Sequence, residues 1–164
     1  MINTLSILIP TYNNVCIELV RSLQAQASLL ASSGNSPADS SVSSSGNSSG
    51  IFKYEILVAD DGSTDKATIE GNRLINTLPH CRYIEREKNV GRSAIRNFLA
   101  KEAQYPWLLF IDSDLHIDNP LFIENYSQAA GDVVVGGLKI GGNPCQWAHN
   151  LRYRYEKACE EEHD

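Results

Sequence analysis

The stretch LLFIDSDL, residues 108–115, runs four apolar residues into two carboxylates one residue apart. Buried apolar chain that ends in paired acids is costly unless something compensates the charge. Alternation along a strand puts Asp112 and Asp114 on one side and Ser113 opposite, and a turn just beyond can swing both acids toward one ion. Two carboxylates with no Cys or His suit a hard cation, Mn2+ or Mg2+, which keeps positions open for phosphate oxygens. The plainer alternative is that one Asp caps the following turn and the other is solvated.

Three other stretches carry similar chemistry. In ADDGSTD, Asp60 and Asp61 end an apolar run and Gly62 permits a tight turn. The pair is either a strand-to-helix turn with Asp65 entering the helix, or an acceptor for a base N–H in a crevice. In IPTYN, Tyr12 either stacks on a nucleobase or simply packs. In NVGRSAIRN, Gly91 allows close approach of a ligand. Arg92 and Arg96 lie four apart, on one helical face near an N-terminus, a setting that favours phosphate. Surface ion pairing is the alternative for either arginine.

These residues need elements to hold them. LSILIP (5–10) reads as a buried strand. Residues 14–31 read as a helix with Val15, Leu19, Leu23 and Leu30 inward. YEILVADDGS (54–63) is a second strand and turn, followed by a helix over 64–78 capped by Ser63 or Thr64. CRYIERE (81–87) is a third strand. NVGRSAIRNFLAKEA (89–103) is a loop and helix with Ile95, Phe98 and Leu99 inward. WLLFID (107–112) is the fourth strand. A helix near 119–130, a strand at 132–140 and a helical tail from Asn150 complete the reading. Strands alternating with helices imply an α/β fold, Rossmann-like, with a mostly parallel sheet and helices on both faces. Ligands of such sheets sit beyond the carboxyl ends of the strands. The polar residues gather at three of those ends: Thr11 and Tyr12, Asp60 and Asp61, Asp112 and Asp114.

The 164 residues are enough for one domain with a core, and the net charge of −6 argues against a nucleic-acid surface. Cys16, Cys81, Cys145 and Cys159 show no CxxC spacing and read as reduced thiols. A cytoplasmic location follows, a peripheral place at the inner membrane face being the alternative. MINTLSILIPTYNN has no basic n-region, and no apolar stretch is long enough to span a bilayer.

The ordered set SILIPTYN, EILVADDGSTD, NVGRSAIRN and WLLFIDSDL resembles the family 2 inverting glycosyltransferases of GT-A fold, from about Ser6 to Leu115 and more weakly to Ile140. The resemblance implies a nucleotide-diphospho-sugar donor, with UDP-sugar as the expected form, a glycan or lipid-linked glycan acceptor and a divalent metal. By that resemblance the backbone at Pro10 and Thr11 and the ring of Tyr12 line the nucleoside pocket. Asp61 pairs with the base, with Asp60 nearby. Gly91 and Ser113 border the donor, Arg92 or Arg96 faces its phosphates or base, Asp112 lies near the ribose and metal waters, and Asp114 ligates the metal. No residue of the chain is assigned as the general base. The resemblance places it beyond Asp164, and the Glu160–Glu162 run reads as a solvated helix face.

ILVADD also resembles the acidic strand end of a phospho-acceptor receiver domain, with Asp112 phosphorylated, but there a Lys belongs at a later strand end, and Lys157 lies in an acidic helical tail. FIDSDL resembles a haloacid-dehalogenase-like phosphatase, with Asp112 as nucleophile and Asp114 as acid, but His116 stands where that family has Thr.

SSGNSPADSSVSSSGNSSG (32–50) departs from the family pattern, which has a short connection there. Its Ser, Gly and Asn offer too little apolar area to offset ordering entropy, so it is expected to be a flexible insertion. Loop length changes closure entropy only slowly. Replacing residues 33–49 by a short Gly-Ser connector should leave the melting temperature nearly unchanged; a large drop would show that the segment packs on the domain.

Overall fold

The computed structural model describes residues 2–33 and 51–136. Most of the Ser-rich stretch, residues 137–140 of the expected last strand and the expected helical tail lie outside them. The chain divides into two units, Met1–Ala129 and Ala130–Asp164. The first holds every helix and strand described: β1 (Thr4–Thr11), α1 (Ile17–Ser33), β2 (Lys53–Asp60), α2 (Lys66–Arg73), a 3-10 turn (Leu74–Thr77), β3 (Cys81–Glu85), α3 (Arg92–Glu102), β4 (Leu108–Phe110) and α4 (Phe122–Gln128).

The four strands form one parallel sheet in the order β3-β2-β1-β4. Alternation sends Leu5, Ile7 and Ile9 of β1 and Tyr54, Ile56 and Val58 of β2 to one face, where they pack on Leu19, Val20 and Leu23 of α1 and on Ile123 of α4. Leu8, Leu57 and Ala59 face the other way and meet Ile95 and Leu99 of α3. Both faces are covered, as the apolar runs require. The chain steps outward from β1 to β2 and β3, then crosses to the far side of β1 for β4. The strand order reverses at β1, and the crevice for a ligand opens there.

Register and a proline shape that crevice. Thr11 pairs with Asp60, so β1 and β2 end level. Even-numbered residues of β1 bond toward β4: Ser6 N–H donates to Trp107 O (2.8 Å), and Leu8 O accepts from Ile111 N–H (3.1 Å). Pro10 is next on that side and has no N–H, so the β1–β4 ladder stops and the chain after Phe110 is free to turn.

Several elements differ from what the sequence pattern predicts. β4 ends at Phe110, two residues before Asp112, so the DSD segment is a turn in which Leu115 N–H donates to Asp112 O (3.3 Å) and strand alternation does not apply. The cap of α2 is Asp65, which accepts from Thr68 N–H (3.2 Å); Asn13 already occupies the Thr64 and Asp65 amides. The Thr68 hydroxyl and amide hold the Asp65 carboxyl below its usual range. The helix expected over 64–78 tightens into the 3-10 turn after Arg73. Helix α1 starts at Ile17, three residues late; Val15 is exposed, and Ile17, Val20 and Ala27 join Leu19 and Leu23 inward. Phe98 is only partly buried, with the Arg86 guanidinium 4.4 Å from its ring centre. Residues 132–136 are not a strand, and Val133 and Val135 are exposed. A β-branched run becomes a strand only against a neighbour, and among the described residues none pairs with it.

At the amino ends of the strands a buried carboxylate organises the chain leaving α3. Glu55 accepts from Ser6 Oγ (2.6 Å) and Gln104 N–H (2.5 Å), and Ser6 Oγ accepts from Tyr105 N–H (3.1 Å). Removing the acceptor leaves the fully buried Ser6 hydroxyl and the Gln104 amide without this partner. Glu55→Ala should lower unfolding free energy by about 1–3 kcal/mol in a urea titration, whereas losing the exposed Glu18–Arg21 pair should change it by less than about 1 kcal/mol.

Candidate functional site

The carboxyl ends of β1 and β4 and the start of α3 enclose a cleft of about 480 Å3. Pro10, Thr11 and Tyr12 line it from β1, and Asp61 from the end of β2. Gly91, Arg92 and Arg96 line it from the α3 side, and Asp112, Ser113 and Asp114 from the turn after β4. Of the residues that the resemblance assigns to the donor and metal, Asp60 alone stays out of the lining. It is 1% exposed. Its Oδ1 accepts from Ser63 N–H (2.7 Å), and its Oδ2 accepts a short hydrogen bond from the Tyr83 hydroxyl. Burial, and then that bond, raises the Tyr83 phenol well above its usual range. Asp60 thus shapes the turn after β2. Cys16 lies nearby, its thiol pushed up to about 12 by burial and secondarily by the Asp60 charge, so it is an inert thiol at neutral pH.

Asp61, 4% exposed, holds the loop that leads into α3. Its Oδ1 accepts from Val90 N–H and its Oδ2 from Gly91 N–H, each at 2.9 Å. Each oxygen keeps one further acceptor direction. The loop lies so close that a Cβ on Gly62 (φ +76°) would stand 2.7 Å from Lys88 C and Asn89 N. Gly91 (φ +87°, ψ 164°) is needed for its backbone conformation instead: a Cβ there would meet nothing within 4 Å.

The cations differ. Arg96 Nη2 donates to Asp112 Oδ1 at 2.5 Å, while Arg92, on the first turn of α3, makes no ion pair among the described residues. Thr11 turns its hydroxyl onto Asn14 O (3.0 Å), so its backbone is what borders the cleft. Tyr12 is 48% exposed, its ring free for stacking. Asp112 and Asp114 are exposed carboxylates, and among the described residues no third His, Cys, Asp or Glu joins them in a metal-ligating group. His116 is turned to Asp118 (3.1 Å) on the surface.

The residues that sequence reasoning missed are asparagines. Asn13 (φ +49°) accepts at Oδ1 from Thr64 N–H (2.9 Å) and Asp65 N–H (3.1 Å), and its own N–H donates to Ser63 Oγ (2.7 Å). Asn14 reaches the other way, to Ser113. Asn72, fully buried, donates to Asn14 O (2.9 Å) and accepts from Cys16 N–H (2.9 Å). Paired asparagines directly after a strand, able to hydrogen-bond backbone and adopt positive φ, were the available signal.

The model of the family described as glycosyl transferase family 2 matches residues 6–162. The chain belongs to glycosyl transferase family 2. It is 31% identical over 130 residues to the chondroitin synthase of Escherichia coli, covering 78% of this chain and 16% of that protein. Among solved structures it resembles S. aureus TarS 1-349, with a TM-score of 0.51 and 24% identity over 75% of this chain and 31% of that one. The same protein in complex with UDP-GlcNAc gives a TM-score of 0.51 and 25% identity, covering 75% and 30%. The fold is therefore the GT-A fold expected from the motifs. The chain spans less than a third of each of these relatives.

The two glycines of the cleft loop give a paired test. Gly91→Ala should cost about 1–3 kcal/mol for backbone conformation alone, read from urea unfolding. Gly62→Ala adds overlap with the 88–89 backbone and should destabilise more. Equal effects would show that the loop yields without resistance.

Proposed function

We propose that the cleft binds a nucleotide-diphospho-sugar, a UDP-sugar, and that the chain takes part in transferring the sugar to an acceptor hydroxyl of a glycan or lipid-linked glycan with inversion. The observation that carries the reading is the convergence of three strand ends and the α3 arginines on one cleft at the point where the strand order reverses. The UDP-GlcNAc complex of TarS supports the choice of donor.

Tyr12 offers an exposed ring for the base, and the spare acceptor directions of Asp61 suit its N–H. Arg92, with no carboxylate partner among the described residues, suits the diphosphate beside the α3 N-terminus. Asp112 and Asp114 fit Mn2+ or Mg2+: such ions are held by one or two carboxylates, with phosphate oxygens and water completing the shell. When bound, the ion adds positive charge where the leaving diphosphate develops negative charge. In the transfer, the acceptor oxygen bonds to the anomeric carbon as the bond to the diphosphate oxygen breaks, and the hydroxyl proton passes to a carboxylate base. Arg92 stabilises the departing charge from a fixed position.

Asp112 already shares one oxygen with Arg96, whereas Asp114 makes no ion pair among the described residues, so Asp114 carries more of the metal dependence. In calorimetry, Asp114→Ala should abolish the Mn2+-dependent part of UDP binding and Asp112→Ala should weaken it less. A chelator should reduce wild type to the level of Asp114→Ala. Metal-stimulated binding that is unchanged in Asp114→Ala would refute the assignment.

A further inference from the structure

We infer that Asn14 is a positioning residue that sets the Asp112–Asp114 turn against the nucleoside side of the cleft. The inference rests on the UDP-sugar reading of that cleft and names a side chain outside the expected ligand set. Asn14 Nδ2 donates to Ser113 O at 2.8 Å and approaches Ser113 Oγ at 3.2 Å. These bonds cross from the loop after β1 to the turn after β4, just where Pro10 ends the backbone ladder between those strands. The side chain thus replaces the missing ladder bonds with one adjustable bridge.

The near end of the bridge is fixed. Asn14 O accepts from Thr11 Oγ (3.0 Å) and from Asn72 Nδ2 (2.9 Å), and the fully buried Asn72 is held in turn by Cys16 N–H. The far end has little else: the turn's own bond, Leu115 N–H to Asp112 O, is 3.3 Å, and the Arg96 contact with Asp112 is exposed. Exposed ion pairs hold geometry weakly. The placement of Asp114 therefore depends on a bond from a residue two positions after Tyr12. A carboxylate that must hold a cation against a phosphate loses function when its turn wanders by a fraction of an ångström.

The test is a calorimetric titration of UDP, with and without Mn2+, into wild type, Asn14→Ala and Asn14→Leu, with thermal melts of each. Leu preserves the side chain's shape and removes its hydrogen-bonding groups, so it serves where Ala unfolds. The expected result is that the Mn2+-dependent gain in UDP affinity falls by about three- to tenfold, while metal-free binding, to which Asn14 is exposed as a cleft-lining residue, falls by less and the melting temperature stays near wild type. A gain equal to wild type in the variants overturns the role of Asn14 and leaves the UDP reading intact. A lowered melting temperature with parallel loss of metal-free binding marks Asn14 as merely structural and also overturns it. Absence of any Mn2+-dependent gain in wild type refutes the metal-assisted reading itself, and the inference with it.

Discussion

Both carboxylate oxygens of Asp61 are bonded to backbone amides, those of Val90 and Gly91, and the cleft depends on that grip. The loop from β3 to α3 has no strand to pair with. The two charge-assisted bonds fix its Val90 and Gly91 amides, the latter shared with Asn89 Oδ1 at 3.1 Å, and so fix where α3 starts. With them, Gly91 stands at the N-terminus of α3 and the next turns bring Arg92 and Arg96 to the cleft. The same geometry demands glycine at position 62, because the gripped loop runs directly over it. A residue that could have been a ligand is first a structural clamp, and its remaining lone pairs are aimed by that role.

The cleft is built from side-chain bridges more than from ladder bonds. The sheet provides the level ends of β1 and β2, and Pro10 then closes the ladder to β4. Beyond that line Asn13, Asn14 and Asn72 connect the loops, and among the described side chains no buried polar atom lacks a partner. Asn13 braces the turn after β2, and Asn14 braces the turn after β4. Such bridges keep strand-end loops in register while leaving their outer edges open to a ligand.

The arginines illustrate how sequence spacing divides into different roles. Four residues apart on α3, Arg92 and Arg96 share a face, as helical periodicity requires. One is held by Asp112 and the other is not. Spacing alone could not distinguish them, because the distinction lies in where a turn on another strand places its carboxylate.

The sequence by itself determined the elements and the edge on which the chemistry gathers. Apolar runs ended by polar residues define parallel strands, and alternation with helices leaves no other way to cover both faces. The end of the fourth strand is not legible locally, because the consequence of Pro10 falls on a partner strand about a hundred residues away. The state of the run at 132–136 is not legible either, because strand formation needs a neighbour that composition cannot reveal. Tertiary structure alone decided which acids are clamps and which are open. Asp60 and Asp61 are adjacent and chemically identical, yet one is sealed beneath Tyr83 and the other faces the cleft. A side chain's role follows from the groups that meet it in space, and those groups come from elements that the local sequence does not contain.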